Sequence, residues 1–348
     1  MIWILVSSLL INIFSIFNLF GIDHNIAFTQ LIFLLIGIIV FILVRRVGLD
    51  YFKKNINYIY WFFVFLLILL FFIGDDIRGS VRWINLYIFN FQPSEFFKII
   101  FILFLAKFFL LTDFDIEKKS YYIKSLLFLL VPFLLVYFEP DFGNAISYIF
   151  IFLIMIAFSS IPKKYLIITI FIGILTLPIV WNIMKDYQKQ RIVSFIKPNV
   201  NQLTSNYNSF QAMITIGSGK FFGRGLGFGT QSKLQFLPEN HTDFAYSSLV
   251  EQFGFFGGFL ILSLYLFILC ILFKKIKFLY KNDTIDNKFY FYYLIGFVSY
   301  LLFQVCINIG MNLGVFPVAG ISLPLISYGG SSLVTYFIGI SLLPFDKV

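Results

Sequence analysis

Roughly ten runs of about 20 apolar residues, divided by short polar stretches, leave this chain few ways to fold. A run of that length crosses hydrocarbon as a helix, because each backbone N–H and C=O must be satisfied within the segment where water is absent. The runs cover residues 2–20, 28–44, 58–73, 96–111, 121–138, 145–160, 165–181, 244–273, 289–313 and 323–343. They predict an all-α polytopic membrane protein of about ten transmembrane helices. Apolar residues are 60% of the chain and charged ones 12%, which excludes an ordinary soluble domain. The first run has no basic flank and no small-x-small cleavage site, so it reads as a membrane helix rather than a signal peptide.

The net charge of +9 raises nucleic acid as a partner, but the basic residues fall in clusters between the runs. Arg45, Arg46, Lys53 and Lys54 follow the second run; Lys118, Lys119 and Lys124 follow the fourth; Lys163 and Lys164 follow the sixth. Lys274, Lys275, Lys277, Lys281 and Lys288 follow the eighth. Alternate loops are thus basic, which places them and both termini in the cytoplasm and argues against nucleic acid. The opposite face carries Asp23, residues 74–94, the Glu139-Pro140-Asp141 turn, one long segment over about 182–243, and residues 314–322. The long segment holds seven basic residues, but long loops weigh little in the charge rule. Residues 1–348 therefore read as one integral membrane domain with one large extracytoplasmic loop between helices seven and eight. Cys270 and Cys306 lie in apolar runs and suggest no disulfide framework.

Chemistry concentrates on that outer face. Leu237-Pro238-Glu239-Asn240-His241-Thr242-Asp243-Phe244 gathers ionisable groups at the lip of the eighth span, where they are costly to keep. Arg78, Arg82, Trp83, Gln92, Ser94, Glu95 and Lys98 form a second polar set, and Glu139 with Asp141 a third. Glu95 and Lys98 share a helix face after Pro93, as site residues or equally as a structural ion pair. Glu251, about 12 Å further along the span than Asp243, reads as a paired or protonated helper. Gly217-Ser218-Gly219-Lys220 and Gly223-Arg224-Gly225-Leu226-Gly227-Phe228-Gly229 lack the spacing of a nucleotide loop. Lys220 and Arg224 beside such amides could hold a pyrophosphate, and a plain flexible loop fits the spacing as well. Asn308 and Asn312, one turn apart, read as interhelical hydrogen-bond partners, and Tyr328-Gly329-Gly330-Ser331-Ser332 as a close-packing segment. No zinc motif or Ser-His-Asp arrangement is present in the sequence pattern.

Arg82-Trp83-Ile84, Gln92-Pro93-Ser94-Glu95 with Lys98, Pro140-Asp141-Phe142-Gly143, and Leu237-Pro238-Glu239 with His241-Thr242-Asp243-Phe244 occur in this order. Pro317-Val318-Ala319-Gly320 and Leu323-Pro324-Leu325-Ile326-Ser327-Tyr328-Gly329-Gly330-Ser331-Ser332 complete the set. Together they resemble the SEDS family (shape, elongation, division and sporulation; RodA, FtsW and SpoVE). Asn206-Tyr207-Asn208-Ser209-Phe210-Gln211-Ala212 and Gly229-Thr230-Gln231-Ser232 are closer to its RodA, cell-elongation branch than to its division branch. The resemblance implies a ten-helix peptidoglycan glycosyltransferase that polymerises lipid II at the outer face of the cytoplasmic membrane. It also implies a class B penicillin-binding protein as transpeptidase partner within the cell-elongation complex, and it matches the family's essential aspartate to Asp243. Two positions depart from the family pattern: Glu139 stands where glutamine is usual, and Gln252 where a second glutamate is common.

On this reading Asp243 is either the base that takes the acceptor hydroxyl's proton or a ligand of a divalent cation, Mg or Mn, at the diphosphate. Arg82, Trp83, Glu95, Lys98, Lys220, Arg224, Glu239 and His241 are the candidate substrate-binding residues. A flippase for the lipid-linked precursor would need essential charges deep in the membrane. A division-branch polymerase and a scaffold without chemistry are the remaining alternatives.

Overall fold

The computed structural model describes residues 2–77, 80–85, 90–112, 118–196, 207–282 and 284–344; Arg78 and Asn206 lie outside the described residues. The long helices are α1 (Ile2–Ile22), α2 (His24–Val47), α3 (Leu49–Ile73), α4 (Pro93–Thr112), α5 (Lys118–Phe138), α6 (Phe142–Ala157) and α7 (Lys163–Ile183). Shorter α8 (Asp186–Ile196), α9 (Tyr207–Ser218) and α10 (Thr230–Lys233) precede α11 (Ala245–Lys281), α12 (Ile285–Asn312) and α13 (Gly330–Ser341). Among the described residues, seven helices are long and apolar enough to cross a membrane, with α6 and α13 as shorter apolar helices. The apolar run in α4 carries Glu95, Lys98 and Lys107.

Burial sorts these helices. α4 and α12 are buried along most of their length, as the centre of a bundle requires. α3, α6, α11 and α13 pack around them, and α1 and α2 close the outside against α11 and α13. α7 buries none of its residues and leans on α6 and, through Tyr122 against Tyr165 and Thr169, on α5. Many large apolar side chains on α2, α3 and α7 stand exposed, which suits helices facing lipid.

Two features depart from the all-helical expectation. A three-stranded antiparallel sheet, β1 (Asp75–Ile77), β2 (Ser80–Asn85) and β3 (Asn90–Phe91), joins α3 to α4. Val81, Trp83 and Ile84 favour extended backbone, and Ile84 pairs with Phe91 across the ladder. The last apolar run is helical only in its second part. Leu323 to Gly329 is irregular, with Leu325 at φ 71°, because its polar groups hold another segment. The Ser327 hydroxyl accepts from the Leu323 N–H at 2.8 Å and donates to the Thr242 carbonyl at 2.6 Å. The Tyr328 N–H donates to the His241 carbonyl at 2.7 Å.

Polar contacts define the two ends of the bundle. Lys53 pairs with Asp286 at 3.1 Å, Lys118 donates to Ser160, and Arg45 donates to the Leu343 carbonyl at one end. The sheet, the 139–141 turn, α8, the 237–244 turns and the 314–329 segment meet at the other.

Candidate functional site

Residues 237–244 form consecutive turns that feed into α11. Glu239 takes φ 54°, and its carbonyl accepts from the N–H groups of Thr242 and Phe244. Its Oε2 accepts from the Thr242 hydroxyl at 2.8 Å. The backbone of 241–243 is then pinned from outside: Tyr328 and Ser327 hold the first two carbonyls, and Asn308 and Asn312 hold that of Asp243. A carboxylate on a loop becomes a fixed point when its backbone is held this way.

Beside Asp243 opens a groove lined by Arg82, Pro140, Phe142, Gly143 and Ile146 on one wall, and by Gln188, Arg191 and Ile192 of α8 on another. Phe303 and Ile307 of α12 and residues 316–319 and 321 complete it. The cavity volume of the groove is about 130 Å³, room for more than a single water. Apolar side chains dominate the walls, with two arginines as their charged groups. The 317–321 segment connects the groove to the turn of Asp243. A Cβ built on Gly320, which has φ 65°, would lie 3.8 Å from Arg191 Nη1 and 3.9 Å from Asp243 Oδ2. Arg191 Nη1 also donates to the Val318 carbonyl at 3.4 Å. Gly143 is needed on the opposite wall, since a Cβ there would meet the Ala319 carbonyl oxygen at 2.3 Å.

The predicted site residues separate into groups. Arg82 lines the groove; its guanidinium donates to the Pro140 carbonyl and lies 3.7 Å from Asp141. Trp83, next on β2, is half-buried and not among the groove-lining residues. Glu95 and Lys98 are buried in α4 and pair at 2.8 Å, with Gln304 donating to Glu95 and the Lys98 ammonium 5.7 Å from the Tyr300 ring. His241 stacks edge-on to Tyr328, its Nδ1 3.1 Å from Asn240 Oδ1.

Lys220 and Arg224 sit in the glycine-rich run, which packs against a break in α11. Gly254 there has φ 73° and ψ −173°, and the N–H groups of Arg224 and Gly225 donate to the carbonyls of Glu251 and Gln252. In return, Phe255 and Phe256 donate to the carbonyls of Lys220 and Phe221. The alternating glycines thus serve a backbone-on-backbone contact rather than an open nest. Arg224 is occupied with the Ser218 carbonyl and the Thr230 hydroxyl. Glu251, fully buried, accepts from the Gln231 N–H at 2.8 Å and from the N–H and hydroxyl of Ser232, at the start of α10.

Arg191 and Gln188 escaped the sequence reading, where Arg191 counted only toward the loop's charge. Their signal was Gln188, Arg191 and Ile192 at i, i+3 and i+4, one face of a short helix. Two carboxylates also meet at the groove wall with contrasting surroundings. Asp141 caps α6 and receives Gln92 Nε2 at 3.0 Å, Asn144 Nδ2 at 2.8 Å and Arg82. Glu139 is 1% exposed, and neither of its oxygens has a hydrogen-bond partner among the described residues. Burial first, then the charge of Asp141, push its carboxyl up to about 9, against the pull of Arg82. Among the described residues no group of three or more His, Cys, Asp or Glu is placed to hold a metal.

Residues 1–345 match the family model for FtsW, RodA and SpoVE, described as cell cycle protein. The chain is 32% identical over 317 residues to the probable peptidoglycan glycosyltransferase FtsW of Wigglesworthia glossinidia brevipalpis, covering 90% of this chain and 81% of that protein. It is 30% identical over 343 residues to the peptidoglycan glycosyltransferase MrdB of Escherichia coli K12, covering 98% and 91%. Its fold is similar to a chain of a peptidoglycan synthase complex solved for the coordination of polymerization and crosslinking, with TM-score 0.80, 27% identity and coverage of 97% and 95%. It is likewise similar to the rod shape determining protein RodA of Thermus thermophilus, with TM-score 0.73, 25% identity and coverage of 98% and 94%.

Proposed function

The chain belongs to the FtsW/RodA/SpoVE family of multi-pass membrane proteins, and we propose that it polymerises lipid II into glycan strands with release of polyprenyl diphosphate. The observation that carries this reading is a mostly apolar groove lined by Arg82 and Arg191, whose 317–321 segment brings Gly320 close to both Arg191 and Asp243. A polyprenyl diphosphate substrate asks for that combination: hydrocarbon for the lipid and cations for the anionic head.

The acceptor 4-hydroxyl attacks the anomeric carbon as the bond to the diphosphate breaks, with inversion and no covalent sugar–enzyme intermediate. Asp243 takes the hydroxyl proton, a contribution of about 10²–10⁴ in rate. Arg191 and Arg82 stabilise the negative charge that gathers on the departing diphosphate. A divalent cation at Asp243 would draw its other ligands from phosphate oxygens and water, as Mg does, and would supply charge to the same leaving group.

The active end faces outward, with both termini and the basic loops in the cytoplasm. The partner is a class B penicillin-binding protein, and the branch motifs favour elongation over division. Purified wild type and Asp243→Asn, given lipid II, test the core of this reading. The variant should lose polymerisation by at least the base's share, about 3–5 kcal/mol of barrier, while folding and partner binding persist. An Asn variant that polymerises at the wild-type rate removes Asp243 from the mechanism. A wild type that moves lipid II across liposomes without making glycan favours a flippase. Full activity in the presence of chelator excludes the cation.

A further inference from the structure

Glu139 and Asp141 lie two residues apart, yet the fold gives them opposite surroundings. Asp141 is at the N-terminus of α6, the positive end of a helix dipole, where its Oδ1 accepts from the Asn144 N–H at 3.3 Å. Glu139 follows the last residue of α5, the negative end, with its own N–H bonded back to the Leu135 carbonyl. The amides of Gln92 and Asn144 and the Arg82 guanidinium all go to Asp141, and none reaches Glu139. Two buried carboxylates thus share one guanidinium. Arg82 is itself underused, because its Nε has no acceptor among the described residues.

The other groups facing this turn are few. Tyr148 of α6 lies within electrostatic reach of Glu139, Asp141 and Glu95, and its hydroxyl donates to the Ser94 carbonyl at 2.6 Å. Beyond it, Glu95 of α4 is neutralised by Lys98. No second cation is therefore on hand for Glu139 among the described residues. We propose that Glu139 is a positioning residue of the groove: as a neutral acid it leaves Arg82 with Asp141 at the groove wall, and when it ionises it draws the guanidinium away.

This inference rests on the polymerase reading for its kinetic arm only. In wild type, polymerisation should hold steady through neutral pH and fall above about 9, the value to which burial raises this carboxyl. One unit higher, only about a tenth of the protein keeps the neutral acid, so the rate should drop about tenfold, carried by KM for lipid II. Glu139→Gln should match wild type at neutral pH and lack this alkaline limb. The infrared arm needs no activity. A protonated-carboxyl stretch at pH 7 should be absent from Glu139→Gln, and its loss at alkaline pH should shift an arginine guanidinium band that Arg82→Lys lacks. Absence of that carboxyl band at pH 7, or a guanidinium band that does not move, overturns the proposal. So does an alkaline limb that survives in Glu139→Gln. A wild type inactive at every pH with both infrared signatures intact refutes the polymerase reading and upholds the Glu139–Arg82 coupling.

Discussion

Asn308 donates its side-chain amide to the backbone carbonyl of Asp243 at 3.0 Å and to that of Ile321 at 2.7 Å. One residue on the buried helix α12 therefore ties the carboxylate's turn to the segment that floors the groove. Asn312, one turn later, donates to the same Asp243 oxygen at 3.1 Å and accepts from the N–H and hydroxyl of Ser247. Both asparagines are buried, so these bonds form without competition from water.

Asn308→Leu should accordingly act through Asp243 without touching substrate. It strands the buried carbonyl of Ile321, at about 1–3 kcal/mol if no water replaces the amide, and takes one of the two donors from that of Asp243. The expected result is a fall in kcat of about 10–100-fold at nearly unchanged KM, because a small misplacement of a reacting group costs rate rather than affinity. A matched loss in both constants would show general unfolding instead.

Glu251 has a different task. Its carboxylate receives two backbone N–H groups and one hydroxyl from the start of α10, which locks the end of the large loop to α11. Glu251→Gln turns an amide donor toward those donors. The thermal midpoint of purified protein should fall, by an amount equivalent to about 1–3 kcal/mol, while the folded fraction keeps its activity. Loss of polymerisation without loss of stability would give this residue a chemical role.

Much of the bundle was legible because hydrocarbon length is a one-dimensional property. The ten predicted runs all fall on helices, the last one in part. The turn of Asp243 was legible because ionisable residues at a helix lip stand out. What the sequence could not display was pairing between distant segments. Lys98 and Glu95 carried two readings by spacing alone, and their mutual contact became visible only with α12 packed over them. The glycine run suggested a ligand cradle because alternating glycines mark close approach, and the approaching partner is the chain's own helix at Gly254. Arg191 was one cation among seven in a long loop until α8 brought it to Gly320.

Gly254→Ala tests that docked break. Its φ of 73° with ψ near 180° is a region almost reserved for glycine. An added Cβ would also meet the Gly223 nitrogen at 2.3 Å. Backbone lies on both sides, so nothing can swing away. The loop should detach from α11, seen as new protease cleavage within residues 219–229 and as poor recovery from detergent. A protected, normally recovered variant would contradict the contact.

Stability against pH should report Glu139 in the opposite sense to an ordinary carboxylate. Its folded value, about 9, lies above the ordinary glutamate value of 4.5, so the native state holds the proton longer than the unfolded chain does. Stability then declines as pH rises from 4.5 toward 9 and levels off beyond. Glu139→Gln removes this slope. Its unfolding free energy, followed through the thermal midpoint, should exceed that of wild type by a margin that widens across the same window, reaching about 3 kcal/mol at pH 7. Equal slopes for both proteins would mean that Glu139 is already ionised.

Arg82 and Arg191 give the sharpest test of how the groove reads its ligand. Both line a mostly apolar groove, and Arg191 shares the neighbourhood of Gly320 with Asp243. A diphosphate between them would accept from both guanidinium groups, bonds about twice as strong as neutral ones. Polyprenyl diphosphate, the reaction's leaving product, should therefore inhibit wild type competitively against lipid II. Arg191→Ala should weaken that inhibition and raise KM by about 10–100-fold, the equivalent of about 1.5–3 kcal/mol for a charged hydrogen bond. Arg191→Lys should recover part of it, since an ammonium keeps the charge and loses the planar fork. Arg82→Ala should weaken binding as well and free Asp141, so its effect combines lost contact with lost order at the 139–141 turn. A polyprenyl monophosphate should show much less difference between wild type and the Arg191 variant, because it offers one anionic group where the groove presents two cations. Inhibition by the diphosphate that is unchanged in both variants would place the anionic head elsewhere and return Lys98, Lys220 and Arg224 to consideration.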